Sequence, residues 1–106
     1  MADVLIRDDP DRERYVAEVD GDLAGFTEYQ LWKGRLLFPH TEIDDAYSGR
    51  GIATKLIREA LDGVRSKGLM IVPLCPFVAR FVRKNPDYMD MVDRELLKEI
   101  RQQSGR

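Results

Sequence analysis

One cysteine, Cys75, and one histidine, His40, are all that this chain of 106 residues contains of those two types. A lone cysteine excludes an internal disulfide and any multi-cysteine metal centre. A zinc site would need carboxylates to complete the set around a lone imidazole, so no metal is expected. Long apolar runs are missing as well, and none approaches the ~20 residues of a membrane-spanning helix. The opening stretch MADVLIRDDPDRER is acidic and carries no signal-peptide core, so cytoplasmic residence and no membrane partner are expected. Blocks of basic residues are absent from a chain of formal net charge -2, and nothing in that pattern suits nucleic acid. There is no internal repeat, linker or low-complexity segment.

What is present is an ordinary globular balance, with 43% hydrophobic and 34% charged residues. That balance argues against disorder, and the length allows one domain with a modest core, spanning 1–106 with a polar tail from about 101. Short strand-like runs fill the first half. VLI (Val4 to Ile6) comes first, followed by a polar loop, RDDPDRE. RYVAEVD then places Tyr15, Ala17 and Val19 on one face. Gly21-Asp22 predicts a hairpin turn, LAGFTEYQLW a third strand, Lys33-Gly34 another turn and RLLFPHTEID a fourth strand. Pro39 cannot donate to a ladder, so that strand is expected to bulge, bend or lie at an edge there. The aromatic residues Phe26, Tyr29, Trp32 and Phe38 read most simply as packing.

After Tyr47 the period changes. Ile52, Ala53, Leu56, Ile57, Ala60, Leu61 and Val64 recur at helical spacing, with Lys55, Arg58, Glu59, Asp62 and Arg65 opposite, and Gly68 stops the helix. LMIVPL is a continuous apolar run, as expected of a strand covered on both faces. CPFVARFVRKN is a second short helix, opened by Pro76 and followed by Pro86. Val92, Leu96, Leu97 and Ile100 mark a last amphipathic stretch. The order is β-β-β-β-α-β-α-α, an α/β chain with a mixed (α+β) sheet. The long helix joins its flanking strands by a right-handed parallel crossover.

Where the fourth strand gives way to the helix the sequence is AYSGRGIATKL. A strand, a glycine turn and a helix N-terminus together make an anion site, because unpaired N–H groups converge there with the positive end of the helix dipole. Gly49 and Gly51 would let phosphate oxygens reach the backbone, with Arg50 as a counter-charge. The alternative is a connector in which the glycines serve the turn alone. Two phosphate motifs are excluded. No segment reads G-x-x-x-x-G-K-[ST], and the pattern G-x-G-x-x-G fails at Thr54.

SGRGIATKLIREAL resembles motif A of the GCN5-related N-acetyltransferases (Q/R-x-x-G-x-G/A). Together with VPLCPFVARFVRKNPDY it is similar, more narrowly, to the small YjdJ-type subgroup of that family, over about Leu36 to Val92. The resemblance implies a fold of that type, acetyl-CoA as the acyl donor and an amine acceptor, either a small molecule or a protein amine. It implies that backbone at Ser48, Gly49, Arg50, Gly51, Ile52, Ala53 and Thr54 holds the pyrophosphate. It also implies that Thr41, Glu42 and Ile43 line the pantetheine arm, where the fourth and fifth strands splay. Departures are visible. Ser48 stands at the Q/R position, and Phe81 and Val82 occupy the stretch where many relatives carry a tyrosine acid. Tyr88 lies further on. The loop from Asp8 to Glu13 has no room for the helix pair that usually covers the acceptor side.

Acetyl transfer needs a neutral amine, a polarised carbonyl, a protonated leaving thiolate and alignment of the reactants. His40 is the candidate base or proton relay, against the alternative of a partly exposed strand histidine. Cys75, at a helix N-terminus, is the candidate thiol beside the thioester or an acyl-accepting nucleophile, against that of a small buried hydrophobe. The resemblance matches both positions, and direct transfer is the expected route. Glu42 is the second candidate base. A non-catalytic acyl-CoA-binding or regulatory module, and a scaffold domain with purely structural glycines, are the competing readings. An uncapped small sheet also leaves a homodimer open.

Overall fold

The computed structural model describes residues 3–104. Five strands, β1 (Val4–Asp9), β2 (Arg14–Val19), β3 (Asp22–Trp32), β4 (Arg35–Ile43) and β5 (Met70–Pro73), form one sheet in sequence order. The first four are antiparallel neighbours, and β5 is parallel to β4. Helix α1 (Ile52–Ser66) makes the crossover, followed by α2 (Pro76–Lys84) and α3 (Arg94–Ser104). The mixed sheet and element order agree with the sequence expectation.

Local chemistry sets the elements. The β2–β3 and β3–β4 hairpins each turn on two consecutive residues with positive φ, Asp20-Gly21 and Lys33-Gly34, the geometry that matches the strand twist. The β2–β3 turn therefore sits one residue earlier than the predicted Gly21-Asp22. β1 is also longer than expected and runs to Asp9, because its whole length pairs with β2. A single 3-10 turn, Pro10–Arg12, is all that joins the two. Helix α1 stops in a Schellman motif: Gly68 (φ 70) donates to Arg65 and Leu69 to Val64.

The core lies between the sheet and helices α1 and α2. Ala17, Phe38, Leu56, Leu61, Val64, Ile71 and Val78 are all buried there. A smaller cluster, Leu37, Val72 and Leu96, seats α3 on the opposite face at the β4–β5 end. Ile71 and Val72 are thus covered from both sides, as the continuous apolar run implied. Phe38 is fully buried, whereas Tyr29 and Trp32 pack on the margins of the two clusters.

Helix α3 departs from the predicted stretch at both ends. Val92 is not helical; it bridges to Ile71. Asp93 starts the helix instead, its Oδ1 accepting the Leu96 N–H at 3.0 Å while its Oδ2 takes Arg35 Nε at 2.6 Å. Residues 101–104 of the expected tail continue the helix; positions 105 and 106 lie outside the described residues. Among the described residues no helix is long and apolar enough to cross a membrane.

Candidate functional site

Two features of β4 and its exit create the site. The first is the turn into α1. Asp44 accepts the Ala46 N–H at 2.9 Å and so starts a 3-10 turn, Asp45–Tyr47. Gly49 (φ 79) and Gly51 (φ 74) then carry the chain in the left-handed region, which costs other residues about 1–2 kcal/mol. A Cβ built on either glycine would meet nothing within 4 Å. Backbone conformation, rather than crowding, calls for glycine at both positions.

No side chain caps α1 at Gly51. The bond from Lys55 N–H to Gly51 C=O opens the helical ladder, so the N–H groups at its first positions have no partner within the helix. They border a cleft of about 300 Å³ lined by Ile43, Tyr47, Gly49, Gly51, Ile52 and Phe77, among others. Arg50 lies over the Tyr47 ring, 5.4 Å from its centroid. Ser48 Oγ turns back to donate to Asp45 C=O at 3.0 Å.

The second feature is a divergence of strands. The β4–β5 ladder ends at Phe38 and Pro73, and the Cys75 N–H makes a further bond to Phe38 C=O at 2.9 Å. Opposite Tyr29, β4 spends two residues, Phe38 and Pro39, so of the bulge, bend or edge expected at Pro39 a bulge is present. Beyond it β4 runs on to Ile43 with β3 alone as strand partner. Asp44 N–H bonds Ala24 C=O at 2.8 Å, which makes Gly25–Ile43 a non-hydrogen-bonded pair. By alternation Thr27–Thr41 is another. The N–H and C=O groups of Thr41 and Ile43 therefore face the free edge, while Glu42 spends its backbone on Phe26. Gly25 permits this close pairing, since a Cβ there would sit 2.6 Å from Ile43 Cδ1 and 2.7 Å from the Glu42 oxygen.

His40 and Thr41 are consecutive on β4, so their side chains leave on opposite faces. Thr41 points into the core. Its Oγ1 lies 2.9 Å from Thr27 Oγ1 and 3.1 Å from Cys75 Sγ, and all three residues are buried. Cys75 thus joins a buried polar chain at the point where β4 and β5 part, on the α1 side of the sheet. His40 is exposed on the other face. Its Nε2 meets Glu42 Oε2 at 2.6 Å, and its ring stands edge-on to Phe26 at 6.1 Å. The hydrogen bond to Glu42 holds the His40 pKa above its ordinary value.

Sequence reasoning missed Thr27, whose partners come from β4 and, through it, from the start of α2. Nor did it find the groove between α1 and α2. There Arg58, Arg80 and Lys84 surround Phe77; on α2 these fall at i, i+3 and i+7, a one-face pattern visible in FVARFVRK. Tyr88 is committed elsewhere, its hydroxyl donating to Asp62 at 2.7 Å. Among the described residues no cluster could hold a metal ion.

This geometry has relatives. Residues 14–91 match the family described as GCN5-related N-acetyl-transferase. Protein NATD1 of Bos taurus is 33% identical over 85 residues, covering 78% of this chain and 75% of that protein. Streptothricin acetyltransferase of Streptomyces lavendulae is 39% identical over 64 residues, covering 58% of this chain and 34% of the enzyme. In fold, the solution structure of a GCN5-like protein from Staphylococcus aureus matches with a TM-score of 0.66 at 19% identity, over 87% of this chain and 90% of that one. A family match across most of the length, on a sheet of this order, means that the chain belongs to the GCN5-related N-acetyltransferase family.

Proposed function

We propose that this protein binds acetyl-CoA and transfers the acetyl group directly to an amine. One observation carries the proposal: an uncapped, glycine-flanked helix N-terminus opens beside a strand edge with free backbone groups. The residues fit that donor. Amides from Gly49 to Thr54 would bind the diphosphate. The amide groups of the pantetheine arm would pair with Thr41 and Ile43 along β4, Glu42 contributing only its side chain.

In the transfer, the amine nitrogen attacks the thioester carbonyl carbon; the C–N bond forms and the C–S bond breaks. His40, held by Glu42, takes the proton that the amine sheds. Cys75 gives its Sγ proton to the departing thiolate and is left accepting from Thr41; it regains a proton through the space the leaving thiol vacates, while the exposed His40 gives its own to bulk water. The two groups serve from opposite faces of β4. The acceptor is a small-molecule or protein amine.

A second reading is favoured by Tyr88, whose hydroxyl is spent on Asp62 and so is not offered to a leaving group. On that reading the protein binds acyl-CoA without turnover. Thiol release from acetyl-CoA, measured across a panel of amines, separates the two. Turnover that drops in both His40→Ala and Cys75→Ala while CoA affinity holds supports the enzyme. Tight CoA binding with no turnover on any amine supports the binding module.

A further inference from the structure

The two edges of the sheet are finished differently. Along β5, Val92 bridges to Ile71 and Asp93 N–H bonds Ile71 C=O at 2.9 Å, so a passing segment covers that side. β1, at the other end of the strand order, has β2 as its one partner among the described strands. Val19 and Asp22 flank the two-residue turn Asp20-Gly21 and so form a hydrogen-bonded pair. By alternation Arg14, Val16 and Glu18 turn their backbone groups to β1, where Asp9, Arg7 and Leu5 meet them. The N–H and C=O groups of Val4, Ile6 and Asp8 therefore line the outer edge. Proline or a bulge often blunts such an edge. β1 has neither, and it pairs with β2 without a shift of register.

Side chains along this edge are incompletely packed as well. Val4 and Ile6 sit half-buried at the rim of the core, on the α1 face. Leu5 is on the opposite face and is 59% exposed. Asp3 and Arg7 share that face by alternation. Asp3 is exposed and has no ion-pair partner among the described residues. Arg7 gives Nε and Nη2 to Glu18, which leaves Nη1 uncommitted.

We infer that β1 pairs antiparallel with β1 of a second copy of this chain, with Leu5 on the two-fold axis. An axis normal to the sheet keeps every side chain on its own face, so opposed residues must alternate in step. Charge then selects among the registers that allow this. Centred on Arg7, the two guanidiniums oppose each other. Centred on Ile6, Asp3 opposes Asp9 of the second copy. Centred on Leu5, Val4 exchanges both backbone bonds with Ile6 of the second copy, Asp3 opposes Arg7, and Leu5 meets Leu5. Opposite charges across a strand pair stabilise it and like charges destabilise it. The Leu5 register also extends the rim contacts of Val4 and Ile6. A contact of this kind is smaller than the ~1,200 Å² of standard interfaces, and the dimer is weak and concentration-dependent. The candidate site lies across the sheet at β4 and stays open in both copies.

Sedimentation equilibrium of the full chain over a range of concentrations tests the pairing. The wild type should show a monomer–dimer equilibrium with Kd on the order of 10 μM. Val4→Pro removes an outward N–H at the first position of an edge strand, where proline is tolerated. It should leave the monomer folded and weaken the dimer on the order of tenfold or more. Arg7→Glu sets a carboxylate against Asp3 of the second copy, and Asp3→Arg sets a guanidinium against Arg7. Each should weaken the dimer on the order of tenfold, more at low salt, and the double variant Asp3→Arg/Arg7→Glu should restore it. Circular dichroism melts establish that the variants fold; if Val4→Pro does not, the charge series decides alone. A wild type that stays monomeric up to millimolar concentration overturns the inference. So does a dimer that the double variant fails to restore, or one that no variant weakens, since it is then built on another surface.

Discussion

Helices α1 and α3 begin in opposite ways. At α3, Asp93 accepts the Leu96 N–H and pairs with Arg35, so a side chain of the protein occupies the N-terminus. At α1, two glycines precede the start, no side chain caps it, and a cleft lined by Gly49, Gly51 and Ile52 adjoins it. Capping a helix is easy, and leaving a glycine at the cap instead of a capping side chain sacrifices only a few tenths of a kcal/mol. The helix that anchors the β4–β5 end of the sheet satisfies itself, whereas the one beside the free β4 edge has no side chain on its first N–H groups.

The contrast can be broken by giving α1 what α3 has. Gly51→Asp places a carboxylate at the open turn, in a left-handed conformation that Asp tolerates better than most residues. Acetyl-CoA affinity measured by calorimetry should fall on the order of 100-fold, through lost amide contacts and repulsion of phosphate. A folded Gly51→Asp protein with wild-type affinity would end the comparison.

The reverse change sharpens it. Asp93→Ala removes the cap and the ion pair with Arg35 and should cost about 1–2 kcal/mol in a denaturant melt, with CoA affinity intact. Asp93 has a lowered pKa, chiefly through the Leu96 N–H and then Arg35. Its contribution is therefore full above the ordinary carboxylate range and is lost as pH falls through the depressed value. Wild type and variant should converge in acid. If Asp93→Ala weakened CoA binding as much as stability, the two helix starts would not differ in role.

A smaller effect concerns His40. Because Glu42 raises its pKa, the neutral, proton-accepting form appears only above the ordinary histidine value of about 6.5. The acid limb of kcat/KM should therefore lie above that pH and move down toward it in Glu42→Gln. A limb that stays put would remove His40 or its link to Glu42 from the transfer. Smallest of all, Ser48→Ala should cost at most about 0.5–1.5 kcal/mol of binding, since its hydroxyl already serves Asp45.

The sequence made some of this legible and hid the rest for physical reasons. Pro39 announced the bulge because a missing N–H is a local fact, and Gly49 and Gly51 marked the turn because positive φ is local too. The start of α3 was misplaced by one face of its apolar pattern: Val92 fits the helical period, but Asp93 is the better cap and Val92 bridges to β5 instead. Nothing local in GFTEY marks Thr27 as buried. It is buried because Thr41 supplies a hydroxyl partner across the β3–β4 ladder, a match that the spacing of either residue alone does not reveal. Likewise Arg58, Arg80 and Lys84 read as solvated helix faces until packing of α1 against α2 brings them around one groove.

The central claim is that α1 holds its amides open for the diphosphate of a pantetheine-bearing nucleotide, and a ligand-dependent melt tests it without knowledge of the acceptor. A ligand at a hundredfold excess over Kd stabilises the fold by about 2.7 kcal/mol, and each kcal/mol moves the midpoint of a domain this size by roughly 4–8 °C. Saturating acetyl-CoA should raise Tm by on the order of 10 °C, with CoA nearly equal and ATP and NAD far behind, since they lack the arm that pairs with Thr41 and Ile43. No shift with acetyl-CoA and CoA, or an equal shift with ATP, would contradict the account.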